Sequence, residues 1–134
     1  MRKLLYFNNL IFNFIYLTII KHMTIENYLA KLQTTPELLD FNELMEVIES
    51  NYVFTETAFT NGDLNNATGE NSGSCKLFSF AKMQGLTEEQ TLACFGVYYR
   101  DDVLNNPNAD NHQNIRNFMK TGWVGIKFEG KALN

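Results

Sequence analysis

Between Thr60 and Ser74 the chain reads TNGDLNNATGENSGS, a run whose only apolar side chains are Leu64 and Ala67. An amphipathic helix or a half-buried strand needs apolar residues at a period of 3.6 or 2, and neither period can be written over this run. Asn61-Gly62 and Ser72-Gly73 are tight-turn steps, and Asn-Gly suits a positive φ. The run is predicted to be a long polar loop. Structureless segments of this length are uncommon inside compact domains and are usually functional or disordered.

On either side of the run the pattern is helical. Thr24 is placed to cap a helix with Ile25, Tyr28, Leu29 and Leu32 on one face, ended by Thr34-Thr35-Pro36. Asp40 caps a second, with Glu43 completing a box-like start, Phe41, Leu44, Met45 and Ile48 as the apolar face and Asn51 as the stop. Tyr52–Thr55 is compatible with a short strand. After the polar run, Ser72 or Ser74 caps a helix that buries Leu77, Phe78, Phe80 and Ala81. Gly85 is its left-handed stop, with Leu86 folding back on Ala81. Thr87-Glu88-Glu89-Gln90 opens a helix expected to reach Leu104, in which Gly96 marks a close approach by a neighbouring helix. A last helix from about His112 to Lys120 buries Ile115, Phe118 and Met119 and stops at Gly122, and Val124, Ile126 and Phe128 alternate as one strand. The fold class predicted is mainly α: a single small domain of about five helices with a minor β element near the C-terminus.

Residues 1–22 differ in kind. They contain Arg2, Lys3 and Lys21 but no acid, so all fifteen acidic residues follow, against eight basic ones from Met23 onward. Small residues that would mark a signal cleavage site are missing after the apolar run, and Asn8, Asn9 and Asn13 are costly in a membrane span. Most of the segment is what AT-rich DNA encodes when read indiscriminately. We read 1–22 as an apolar leader from a mis-set start, with an anchor or signal as alternatives, and 23–134 as the domain. A net charge of −4 argues against a nucleic-acid partner, and a start at Met23 implies no membrane association.

Few residues carry chemistry. Cys75 is expected in the first turn of a helix beside Lys76, where a dipole and an ammonium favour thiolate; His112 is a candidate base and Asp110 its orienting carboxylate. Cys75 as an inert packed thiol is the competing reading. Amides at Ser74–Lys76 can hold a small anion, but the phosphate-loop pattern is absent. With Cys75 and Cys94 far apart and one histidine in the domain, no structural zinc site is expected; Asp101, Asp102, Asp110 and His112 are a poor metal set, and no cofactor is implied. Arg100 is read as pairing within its own chain or clamping a carboxylate ligand.

The motifs Phe59-Thr60-Asn61-Gly62, Asn66, Gly69, Asn71 and Gly73-Ser74-Cys75-Lys76 resemble the HopJ type III effector family of bacteria. Gln84-Gly85-Leu86-Thr87, Gln90-Thr91-Leu92, Phe95-Gly96, Tyr98-Tyr99-Arg100-Asp101, His112-Gln113-Asn114-Ile115-Arg116 and Gly122-Trp123 extend the likeness from about Thr24 to Phe128. The family takes its name from proteins that plant pathogens inject, and the resemblance brings no catalytic residue with it. The density of side-chain amides and hydroxyls in the polar run suits hydrogen-bonded recognition, so the expectation is a small cytoplasmic binding or interaction protein of that family, whose partner is a protein or a small polar or anionic ligand. Asn61, Asn66, Asn71, Ser74, Lys76 and Arg100 are expected to face it. The alternatives are an enzyme with Cys75 as nucleophile and an exported effector acting on a host protein.

Overall fold

A computed structural model of the chain describes residues 8–11, 13 and 23–134. Apart from those first positions, which are helical, the reading of 1–22 as a leader lies outside the described residues. Among the described residues no helix is long and apolar enough to cross a membrane.

From Met23 onward the chain is mainly helical. Helix α1 (Ile25–Thr34) starts where Thr24 Oγ1 accepts from the Asn27 amide at 3.1 Å, and α2 (Phe41–Asn51) where Asp40 accepts from Asn42 at 2.8 Å. Glu43 does not close a capping box; its carboxylate pairs with Lys31 across the two helices at 2.5 Å. Strands β1 (Phe59–Asn61) and β2 (Leu64–Asn66) precede α3 (Ser72–Met83), α4 (Glu88–Ala93) and a π-helical segment over Tyr98–Val103. Helix α5 (Gln113–Thr121), a 3-10 turn (Gly122–Gly125) and β3 (Ile126–Phe128) complete the order.

Helix α3 is the centre. Leu77, Phe78, Phe80 and Ala81 are all buried, as its pattern predicts for a helix packed on most sides. The Phe78 ring lies 5.0–6.3 Å from those of Phe59, Phe95, Phe118 and Trp123, so strand, helix and C-terminal turn meet on one side chain. The helix ends as expected: Gly85 takes φ 65 and the Leu86 amide donates to Ala81 O at 3.0 Å.

Several expectations are corrected. The polar run is not a structureless loop, because its first half is a hairpin. Phe59 pairs with Asn66 and Asn61 with Leu64 across a two-residue turn begun by Gly62 (φ 58), and β3 joins the other edge of β1, giving a three-stranded antiparallel sheet of order β2-β1-β3. The helix opened by the Thr87–Gln90 capping box does not reach Leu104. It breaks at Gly96, φ 61, where the backbone of Leu39–Phe41 crosses so closely that a Cβ would stand 3.0 Å from Leu39 O. Neither Ser72 nor Ser74 caps α3; Asn71 occupies that position. Met119 and Val124 are exposed, the latter because it belongs to the 3-10 turn and not to β3. Tyr52–Thr55 forms a single bridge, Phe54 with Leu133.

Candidate functional site

Among the α-helices described from Met23 onward, α3 and α5 start without a side-chain cap, and both starts face one cavity. The N-cap residues there are Asn71 (φ 50, ψ 46) and His112 (φ 53, ψ 47), the non-glycine residues with positive φ among those described. Helices α1, α2 and α4 are capped by Thr24, Asp40 and Thr87. A left-handed conformation costs a non-glycine residue on the order of 1–3 kcal/mol and persists where the surroundings enforce it. It also removes the extended backbone from which a side chain normally reaches the N2 or N3 amide, so no side chain caps these first-turn amides; of them the Ile115 amide donates to His112 O at 3.0 Å.

The cavity between them has a volume of about 480 Å³, lined on its polar side by Asn71, Ser74, His112 and Asn114. Phe41, Phe95 and Tyr98 form the aromatic side, with Phe41 and Phe95 stacked at 6.2 Å and 9°. His112 is held twice. Its ring lies 5.3 Å from that of Tyr98, and Nε2 is 3.0 Å from Asp102 Oδ2. A carboxylate accepts only, so in the neutral ring Nε2 carries the proton and Nδ1 is the basic nitrogen. Tyr98 and Asp102 stand four apart on the π-helical segment, which presents both to one imidazole. Asp110, expected to orient His112, does not: its backbone carbonyl accepts from Gln113 Nε2 at 2.6 Å.

Behind the polar side runs a chain of buried amides. Asn71 Nδ2 donates to Asn66 Oδ1 at 2.7 Å, and Asn114 Nδ2 donates to the same oxygen at 2.9 Å. Asn66 and Asn61 in turn donate to Asn114 Oδ1 at 3.2 and 3.1 Å, and Asn61 Nδ2 also reaches Asn114 O at 2.7 Å. The hairpin is thereby fastened to the start of α5 and to the residue before α3. Asn61 Oδ1 is fully buried without a hydrogen-bond partner among the described residues.

Of the residues expected to face a ligand, Asn71 and Ser74 line the cavity together with His112, while Asn61 and Asn66 lie behind it. Lys76 turns away, 3.8 Å from Glu49 and over the Phe54 ring. Arg100 donates to Leu39 O at 2.8 Å and borders a different groove with Pro36 and Tyr99. Cys75 points into the core and is not brought to His112 among the cavity residues. Its thiol donates to Thr57 O at 3.5 Å, and burial pushes its pKa up, with Ser79, Thr57 and the Lys76 ammonium offsetting part of the rise. That is the opposite direction from the one its place at a helix start suggests. Cys94 is also a free, buried thiol. Among the described residues no three of His, Cys, Asp and Glu gather as metal ligands.

Phe41, Tyr98 and Asn114 were not legible as site residues, and Asp102 was paired with His112 only as part of a poor metal set. Asn114 sits in the His112–Arg116 motif, which is a signal, whereas Phe41 arrives from α2 by tertiary packing alone. Apart from Phe41, the cavity is lined by residues of the motifs on which the family resemblance rests.

Comparison with known proteins agrees with that resemblance. The sequence model described as HopJ type III effector protein matches residues 25–133. A crystal structure described as that of the unknown-function protein VPA0580 superimposes with a TM-score of 0.83 at 52% identity, covering 84% of this chain and 94% of that one. No curated protein matches the chain.

Proposed function

Because the chain belongs to the HopJ type III effector protein family, whose description states no chemistry, we propose a function from the cavity: a small-ligand-binding protein. The occupant is a compact planar molecule with a polar or anionic head. Its flat face lies along Phe41, Phe95 and Tyr98, and its head meets the first-turn amides of α3 and α5 with the Ser74 hydroxyl and His112. The observation that carries this is the convergence of Asn71 and His112. Both are left-handed, both precede an uncapped helix, and both line the same cavity. Two helix N-termini add their partial positive charges at a point where an acidic protein would otherwise repel an anion.

The test is an amide NMR titration of the full chain with benzoate, and with inorganic phosphate as the head group alone. Benzoate shifts Ser72–Ser74 and Gln113–Ile115 and leaves α1 unmoved; Tyr98→Ala weakens it about tenfold, as expected for one lost aromatic contact of about 1.4 kcal/mol. Shifts scattered over the surface, or none at these amides with either probe, refute the reading.

The family description favours a second reading, action inside a host cell after export. A translocation reporter fused to the chain should move only in cells with an intact type III apparatus.

A further inference from the structure

Ser74 and Cys75 are adjacent, and helical geometry separates them completely. Cys75 is sealed in the core, whereas Ser74 lines the cavity that His112 also lines; no hydrogen bond joins the two side chains directly, so a bound ester or a bridging water has to connect them. Asp102 takes the Nε2 side of His112, which leaves Nδ1 to accept a proton. Behind Ser74 stand the uncapped first-turn amides of α3, and across the cavity those of α5. A hydroxyl, an imidazole oriented by a carboxylate, and helix-start N–H donors without a side-chain cap around an aromatic-walled cavity are the parts of an acyl-transfer centre.

We propose that the cavity hydrolyses small carboxylic esters, with Ser74 as nucleophile, His112 as general base and Asp102 as the residue that positions His112. The proposal rests on the cavity being the ligand site. Ser74 Oγ bonds to the ester carbonyl carbon while its proton passes to His112 Nδ1, and the carbonyl oxygen becomes an oxyanion facing the helix-start amides. The ester C–O bond then breaks, the departing alcohol takes the proton from His112, and an acyl group remains on Ser74. A water molecule attacks that carbon and gives a proton to His112; the bond to Oγ breaks and Ser74 recovers its proton. No oxidant, metal or second substrate other than water enters the balance. The stacked Phe41 and Phe95 rings favour a flat acyl group, so aryl esters with a short alcohol are the class expected.

The experiment treats the full chain with a fluorophosphonate probe and follows intact mass, with peptide mapping of the adduct. One adduct on Ser74 is expected, absent in Ser74→Ala. The labelling rate should fall at least about 100-fold in His112→Ala and about 10-fold or more in Asp102→Asn, with unchanged melting in the latter because Asp102 lies at the surface end of the contact. No adduct, an adduct elsewhere, or a rate that both variants leave unchanged overturns the proposal. If the wild-type chain shows the benzoate shifts yet is not labelled, the hydrolytic step falls and the binding reading stands. If it shows neither, both fall.

Discussion

Replacing Gly96 by alanine tests whether the break after α4 is imposed by the chain that crosses it. Gly96 has φ 61, and a Cβ there would stand 3.0 Å from Leu39 O, 3.1 Å from Phe41 N and 3.3 Å from Asp40 Cα. All three are backbone atoms, so no rotamer change relieves the overlap. Gly85 is the internal control, with φ 65 and nothing within 4 Å of its Cβ position. A left-handed backbone costs an L-residue roughly 1–2 kcal/mol, of which a part returns because alanine leaves the unfolded chain less entropy to lose. Gly85→Ala should therefore cost about 1 kcal/mol, and Gly96→Ala that amount plus roughly 1–3 kcal/mol for overpacking against backbone that has to shift. Urea denaturation of the two variants beside the wild type measures the difference directly. In melting temperature it corresponds to about 4 °C per kcal/mol, so Gly96→Ala should fall on the order of 10 °C below wild type. Since Phe41 and Phe95 flank the contact and wall the cavity, Gly96→Ala should also weaken benzoate binding, and Gly85→Ala should not. Equal losses of stability in the two variants would refute the account, because the collision would then contribute nothing.

Three further outcomes are expected. Burial pushes the Cys94 thiol from an ordinary 9.0 up to about 11 in the folded chain. The unfolded chain therefore releases this proton first, and the stability it contributes, fully present below about pH 9, is lost as the pH rises towards 11, an upper bound of roughly 2–3 kcal/mol. Denaturation midpoints across that window should fall less steeply in Cys94→Ala, and identical slopes would dismiss the burial argument. Asn114→Ala strips acceptors from Asn61 and Asn66 and a donor from Asn66 Oδ1, and should cost about 2–4 kcal/mol with hydrogen-exchange protection lost first in the hairpin; a change under about 0.5 kcal/mol would mean that the amide chain is not what holds it. Thr87→Ala and Gln90→Ala each break the same reciprocal cap at the start of α4, so each should cost about 1 kcal/mol and the double variant less than the two together, as read from a double-mutant cycle.

Local signals were sufficient at three helix starts and one helix stop. The caps at Thr24, Asp40 and Thr87 and the stop at Gly85 each use hydrogen bonds that span two to five residues, so sequence spacing states the geometry directly. The apolar faces followed for the same reason: Tyr28, Leu44, Ile48, Leu77, Phe78 and Phe118 are buried on the faces that their period assigns. The resemblance drawn on scattered motifs also stood, since motif order survives without any knowledge of contacts.

What the tertiary structure decided has partners far along the chain. The hairpin was hidden because its inward positions, Asn61 and Asn66, are amides and not apolar residues, and their bonding partner Asn114 lies 53 and 48 residues away. Period-2 reading assumes that buried means apolar, and a satisfied amide network escapes it. Gly96 was legible as a close approach but not as a helix break, because only the packed fold shows that the visitor is the backbone of residues 39–41. The same holds for the cavity. Sequence alone placed Ser74 and Cys75 side by side, and the rotation of roughly 100° per helical residue turned one to the core and the other to the cavity. Periodicity names the faces of an element; which face meets which is settled by packing the elements together.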